Sequence, residues 1–357
     1  MQAEDWPLAR GNLHSTGVAA SQLPSEPEII WTFDSSGSPF EATVVVERGK
    51  IYVGDGDGTF YAIDLATGKE LWSKKFNEAM FTSAAAVAGE RLWVGDLAGK
   101  LRCLRTADGS LVWEQQLDAE MMAGPMLYEE QLLTTTEGGT FTSFEAATGK
   151  VNWQQKIDAP LRCMATVVDG KAMIAGCDSK LHVYNLADGK EVGSIAIDGP
   201  TGSTPAARDG KIYFGTEEGT FYAIDTTTDP MTVVWTFSDP RRRQGIRTAA
   251  AVNEKLAVYG SQGKAAYGVN LKTGEKVWDF PTRTRVESSP LVAGNVAIVA
   301  TQRGKLSLVD LQSGEATWEY DAGGGFLASP VVVDGKLLIG NTDGTLTCFG
   351  AKQPTGN

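Results

Sequence analysis

Residues able to do chemistry are few and scattered along this chain. The two histidines, His14 and His182, stand apart from each other. The four cysteines, Cys103, Cys163, Cys177 and Cys348, contain no C-x-x-C pair, so the sequence offers no zinc set. No His–Ser–Asp or His–Cys grouping suggests an activated nucleophile. The acidic run Gly54-Asp55-Gly56-Asp57-Gly58 supplies oxygens of the kind calcium favours. Its counterparts Thr216-Glu217-Glu218-Gly219 and Asn341-Thr342-Asp343-Gly344 differ in their acidic residues, so the run reads as a hairpin turn. Arginines remain: Arg241, Arg242, Arg243, Arg247, Arg283 and Arg285. In a chain of net charge −12 their clustering is out of character, and guanidinium forks suit carboxylates.

The elements that must position these side chains come from a repeat. Trp31, Trp72, Trp113, Trp153, Trp235, Trp278 and Trp318 are separated by 41, 41, 40, 82, 43 and 40 residues, the long gap being two repeats with Gly193 in the empty slot. Thr59-Phe60-Tyr61-Ala62-Ile63-Asp64 recurs unchanged at Thr220–Asp225, and Gly49-Lys50-Ile51-Tyr52-Val53-Gly54 recurs as Gly210-Lys211-Ile212-Tyr213-Phe214-Gly215. Short β-rich runs alternate with Gly-containing turns, and no window carries a 3.6-residue apolar period.

Each unit reads as four antiparallel strands, in the first unit Ala42–Val46 (A), Ile51–Gly54 (B), Thr59–Asp64 (C) and Glu70–Lys74 (D). One such sheet cannot cover both of its faces, so the units must stack radially. The last unit, Leu327 to Phe349, lacks strand D, whereas Glu28–Phe33 is a strand D with nothing before it. The fold class expected is all-β: an eight-bladed β-propeller of four-stranded antiparallel blades, closed by the N-terminal strand completing the C-terminal blade. The organisation expected is a lead-in over 1–27, one propeller over 28–350 and a disordered tail over 351–357. The tryptophans are expected to dock between blades, with Gly193 leaving blade 4 the weakest wedge.

In a propeller the D-to-A connections and B–C turns share one end of the central channel. Aligning strand A through Thr43, Ala84, Pro125, Ala165, Pro205, Ala250, Pro290 and Pro330 puts Phe40, Phe81, Met122, Arg162, Gly202, Arg247, Glu287 and Leu327 at that mouth. Met121 and Leu161 add apolar area, and Arg241, Arg242, Arg243, Arg283 and Arg285 add charge. The expected binding face is thus half apolar and half cationic, with Ser238 to Gly245 its longest loop. Cys163 and Cys177 fall near each other across strands A and B of blade 4, where a disulfide is possible. His182 reads as a packed or surface residue.

The segment Ala62-x-Asp64-x-x-Thr67-Gly68-Lys69-x-x-Trp72, with weaker copies at Ser143…Trp153 and Leu308…Trp318, resembles the tryptophan-docking motif of pyrroloquinoline-quinone-type repeats. The lead-in Asp5-Trp6-Pro7…Arg10-Gly11-Asn12…Thr16-Gly17 resembles the N-terminal segment of such proteins. The resemblance spans about residues 5 to 350 and implies the propeller, which hosts both quinone-dependent dehydrogenases and BamB-type outer-membrane assembly lipoproteins. The dehydrogenases resembled carry long insertions, adjacent cysteines and a calcium set; here the repeats are bare and no two cysteines adjoin. The build is that of the BamB type, which implies a non-catalytic scaffold for a protein or peptide partner. No cofactor is then expected, a quinone with calcium being the alternative, and a sensor or ligand-binding module a third. An acidic chain repels nucleic acid, and no apolar run is long enough to span a membrane. A periplasmic or otherwise exported monomer is expected, with no leader visible after Met1.

Overall fold

The computed structural model describes residues 4–352; most of the tail expected to be disordered, 353–357, lies outside the described residues. Eight four-stranded antiparallel sheets radiate around one axis, and no helix occurs among the described residues. Blade 1 comprises strand A (Val45–Glu47), B (Lys50–Gly54), C (Thr59–Asp64) and D (Glu70–Lys75). Strands B and C are buried along nearly their whole length, because a neighbouring blade covers each face, so they read as apolar runs and not as alternating patterns. Strand D is mostly exposed, as the outer edge of its sheet must be. In blades 1, 4, 5 and 8 the A–B turn is a two-residue hairpin with positive φ at both positions, in blade 1 Arg48 at 50° and Gly49 at 72°, which matches the twist of the strands it joins.

The ring closes as the strand count requires. Glu28–Asp34 pairs antiparallel with Thr345–Gly350, setting Trp31 opposite Cys348 and Phe33 opposite Leu346, and so supplies strand D of blade 8. Between blades, six of the seven repeat tryptophans donate the indole N–H to a carbonyl of the next blade: Trp31 to Leu65 at 3.1 Å, Trp72 to Thr106 at 3.0 Å, Trp235 to Leu271 at 3.1 Å. Trp113, Trp153 and Trp278 bond Ala146, Leu186 and Leu311 in the same way. Trp318 instead stacks on Tyr320 and meets Phe349 of blade 8 edge-on. At Gly193 the Met231 methyl takes up the space, 3.6 Å from where a Cβ would stand. Met231 comes from a C–D turn of blade 5 longer than that of blade 1, so the position without an indole is packed by its neighbour.

The lead-in is part of the ring. Carbonyls of Trp6, Pro7, Leu13, His14, Thr16 and Gly17 accept the N–H groups of Val46, Val87, Val167, Ala207, Val252 and Val292 in turn. Each acceptor's partner occupies the middle or end of the innermost strand in blades 1, 2, 4, 5, 6 and 7. Val18–Ala19 then pairs parallel with Leu291–Ala293. Inner strands of a propeller are edge strands with unpaired backbone donors, and this arc satisfies them.

Candidate functional site

The D-to-A connections and the B–C turns meet at one end of the channel, as Phe81 N–H to Asp55 O and Leu97 N–H to Met80 O show. In blades 1 and 2 an aspartate bonds the backbone of its own B–C turn. Asp55 accepts from the Asp57 and Thr59 N–H groups and from the Tyr61 hydroxyl at 2.8 Å, so its carboxylate is committed to the turn. In blade 2 Asp96 takes Arg102 at 2.6 Å, with Glu114 on the other side of that guanidinium. In blade 4 the same place holds buried His182, between Asp178 at 3.0 Å and Glu191 at 2.8 Å. These are struts inside blades.

The mouth differs from its expected composition in two blades. The residues lining it, one per blade from blade 1, are Glu41, Thr82, Met122, Arg162, Gly202, Arg247, Glu287 and Leu327. Phe40 and Phe81 are buried, packed over Gly340 and Gly54 of adjoining blades. Met121 and Leu161 are buried likewise. In a strand-like segment one residue of slip reverses the facing, and the alignment through Thr43 and Ala84 was one residue early in blades 1 and 2. Val44 and Ala85 correspond to Pro125, Ala165, Pro205, Ala250, Pro290 and Pro330 of the other blades. The apolar half of the face thus shrinks to exposed Met122, half-buried Leu327 and, nearby, exposed Met80.

The arginines divide into two groups. Arg162 pairs with Glu137 at 2.7 Å, and that carboxylate raises its pKa. Arg247 pairs with Glu217 at 2.8 Å, Arg242 with Asp279 at 3.3 Å and Arg243 with Asp198 at 3.4 Å. Arg241, Arg283 and Arg285 are exposed and make no ion pair among the described residues, and neither does exposed Arg303, in the B–C turn of blade 7. Arg303 escaped the sequence reading because it lies in a turn, outside the loop cluster. The unpaired cations form one sector, over blades 6 and 7. Arg242 and Arg247, the expected recognition residues, are already held by internal carboxylates.

All four cysteines are free. The disulfide that the sequence allows between Cys163 and Cys177 is not formed: the Cys163 thiol points to Ala175 O at 3.2 Å and the Cys177 thiol to Thr201 O at 3.6 Å, in the next blade's loop. Nearness in sequence register did not bring the two sulfur atoms to one point.

Sequence reasoning missed the floor of the channel. Arg10 of the lead-in enters it, 4% exposed, and lines the same cavity as the mouth residues. The cue was present in the lead-in motif, but strand periodicity says nothing about a segment outside the repeat.

A family model described as outer membrane protein assembly factor BamB matches residues 23–84, 79–235 and 161–353. No curated protein matches the chain in sequence. Among solved structures, BamB from Moraxella catarrhalis is 16% identical, with a TM-score of 0.78 over 93% of this chain and 99% of that one. Quinohemoprotein alcohol dehydrogenase from Comamonas testosteroni is 14% identical, with a TM-score of 0.83 over 99% of this chain and 82% of that one. The computationally designed protein Ika8 is 14% identical, with a TM-score of 0.80 over 91% of this chain and all of that one. At such identities these likenesses speak for the fold alone.

Proposed function

The chain belongs to the family of the outer membrane protein assembly factor BamB, and from that membership we propose that it is a non-catalytic, exported scaffold that binds a protein partner in the cell envelope. The channel-mouth face is the proposed surface. One observation carries this: Arg241, Arg283, Arg285 and Arg303 are exposed and free of internal ion pairs among the described residues, on a chain of net charge −12. Exposed guanidinium groups gathered in one sector favour an acidic segment, and the opposite sector offers Met80 and Met122 as adaptable apolar contacts.

The quinone-dependent alternative has less support from the residues. Among the described residues no group of three His, Cys, Asp or Glu side chains converges as a metal set. The carboxylates lining the channel, Glu41 and Glu287, stand in blades 1 and 7 with blade 8 between them. These residues do not fit a calcium-held quinone.

Site-specific photo-crosslinking in envelope extract tests the scaffold reading. Probes at positions 80, 122 and 283 are expected to trap one discrete protein partner, and probes at the outer-rim positions 71 and 151 are not. Charge reversal of Arg283 and Arg285 together should abolish the adduct at position 122 while leaving the thermal midpoint within about 2 °C, since exposed substitutions seldom change stability. Adducts confined to the rim would refute the assignment of the face.

A further inference from the structure

Arg10 carries a buried charge with no carboxylate partner among the described residues. Its Nη2 donates to Pro290 O at 2.7 Å and Ala250 O at 3.2 Å, and Nη1 reaches Ser289 O at 3.4 Å. Nε has no partner. Burial without a counter-charge pushes the guanidinium pKa down to about 10, which leaves it protonated at neutral pH. Neutral carbonyls compensate such a charge only in part, and isolated buried cations are costly.

The surroundings of Arg10 are rich in hydroxyl groups with donor capacity left over. The cavity it lines has a volume of about 190 Å³. On its wall, Thr43 Oγ1 accepts the Ser329 N–H, Ser329 Oγ accepts the Ser289 N–H, and Ser289 Oγ accepts the Ala249 N–H. These bonds use the oxygen lone pairs and leave each O–H free to donate. The Thr82 and Ser83 hydroxyls, on the same wall, have no partner at all. A positive charge without a counter-ion and several O–H groups without protein acceptors lie along one cavity, an arrangement that suits an anion accepting hydrogen bonds.

We propose that the central channel binds a small monoanionic carboxylate, with Arg10 as its counter-charge and the channel hydroxyls as its donors. The charge balance selects the class. Arg162 and Arg247 at the mouth are neutralised by Glu137 and Glu217, whereas Glu41 and Glu287 have no ion-pair partner among the described residues. The channel therefore has one uncompensated cation in its depth and two carboxylates at its entrance, which disfavours a dianion. Its volume is that of about six liquid waters, which suits a carboxylate of two to four carbons. This site opens on the proposed protein-binding face and shares Met122 with it, but it uses none of that face's free arginines, so either assignment can fail alone.

The test uses the full chain and follows thermal midpoint and saturation-transfer NMR with acetate, propionate, acetamide and sulfate. Acetate and propionate are expected to raise the midpoint saturably, and acetamide and sulfate are not. Arg10→Gln should weaken acetate binding at least about tenfold, the scale of one charge-assisted hydrogen bond. Thr82→Val with Ser83→Ala should weaken it several-fold without lowering the midpoint of the ligand-free protein, because neither hydroxyl has a protein partner to lose. Equal responses to acetamide or sulfate, no saturable response to either carboxylate, or wild-type affinity in Arg10→Gln would overturn the proposal. Should Arg10→Gln not fold, unchanged affinity in the Thr82/Ser83 double variant overturns it instead.

Discussion

Gly17 lies so close over Arg10 that a Cβ there would stand 2.0 Å from Nη2, and its φ of 61° is one that L side chains adopt at a cost. Gly17→Ala should therefore lose about 2–4 kcal/mol, combining left-handed strain with displacement of a buried guanidinium, and urea unfolding will read the loss. A neutral result would mean that Arg10 is free to withdraw from the channel. The thiols make a second residue-scale case. Burial raises Cys163 and Cys348 to about 12 and Cys103 to about 11. Half-buried Cys177 is raised too, by burial offset in part by Arg162. Since the thiolate is the nucleophile, iodoacetamide at pH 8 should modify native protein slowly and at Cys177 first, as peptide mass mapping will show. Early labelling of Cys163 would contradict the packing of blade 4.

At the scale of strands and loops, the D-to-A connections carry a recurring clamp. Asp118 accepts the Thr136 hydroxyl at 2.8 Å and also Thr140, and Asp198 does the same for Thr216 and Thr220 in blade 5. Burial acts to raise the Asp118 pKa, but the Thr140 and Thr136 hydroxyls and Lys156 outweigh it, so the pKa lies below the ordinary carboxylate value. A carboxylate depressed in the folded state stabilises at pH above its unfolded value near 3.9, and that contribution is lost as pH falls through the folded one. Asp118→Asn should thus cost about 1 kcal/mol at pH 6 and progressively less as pH falls below the unfolded carboxylate value, measured as the difference in unfolding free energy from wild type. A cost that persists in acid would point to packing instead of charge. This scale was the one most legible in the sequence, because tryptophan spacing and Asp/Thr-Gly turns mark every blade. It failed where punctuation is missing. Pro125, Pro205, Pro290 and Pro330 fix the facing of strand A in four blades, while Ala42-Thr43-Val44 and Ser83-Ala84-Ala85 offer only small or branched residues that fit either register. Phe40 and Phe81 were therefore placed at the mouth when they belong to the core. The lead-in was illegible for another reason: its bonds to six blades are made by backbone carbonyls, which no side-chain pattern records.

For the whole molecule, the decisive contact is the pairing of Glu28–Asp34 with Thr345–Gly350, which joins chain segments over 300 residues apart. Without it blade 8 would present strand C as an open edge, and Leu346, Cys348 and Phe349, all now buried, would lose their cover on one side. The lead-in depends on the same closure, since it passes along the inner strands from blade 1 to blade 7 before entering strand D of blade 8. A chain beginning at Phe40 would lack both devices and should associate through its open edge, eluting as dimers or larger species in size-exclusion chromatography. Supplying residues 4–38 as a separate peptide should reverse that association and raise the thermal midpoint with peptide concentration, as mass action requires of a ligand that binds only the folded state. A peptide beginning at Ser25, which carries strand D but not Arg10 or the arc, should reverse the association yet recover less of the midpoint. If both peptides act equally, the arc adds no stability to the ring; if neither acts, the open edge of blade 8 is not what drives the association.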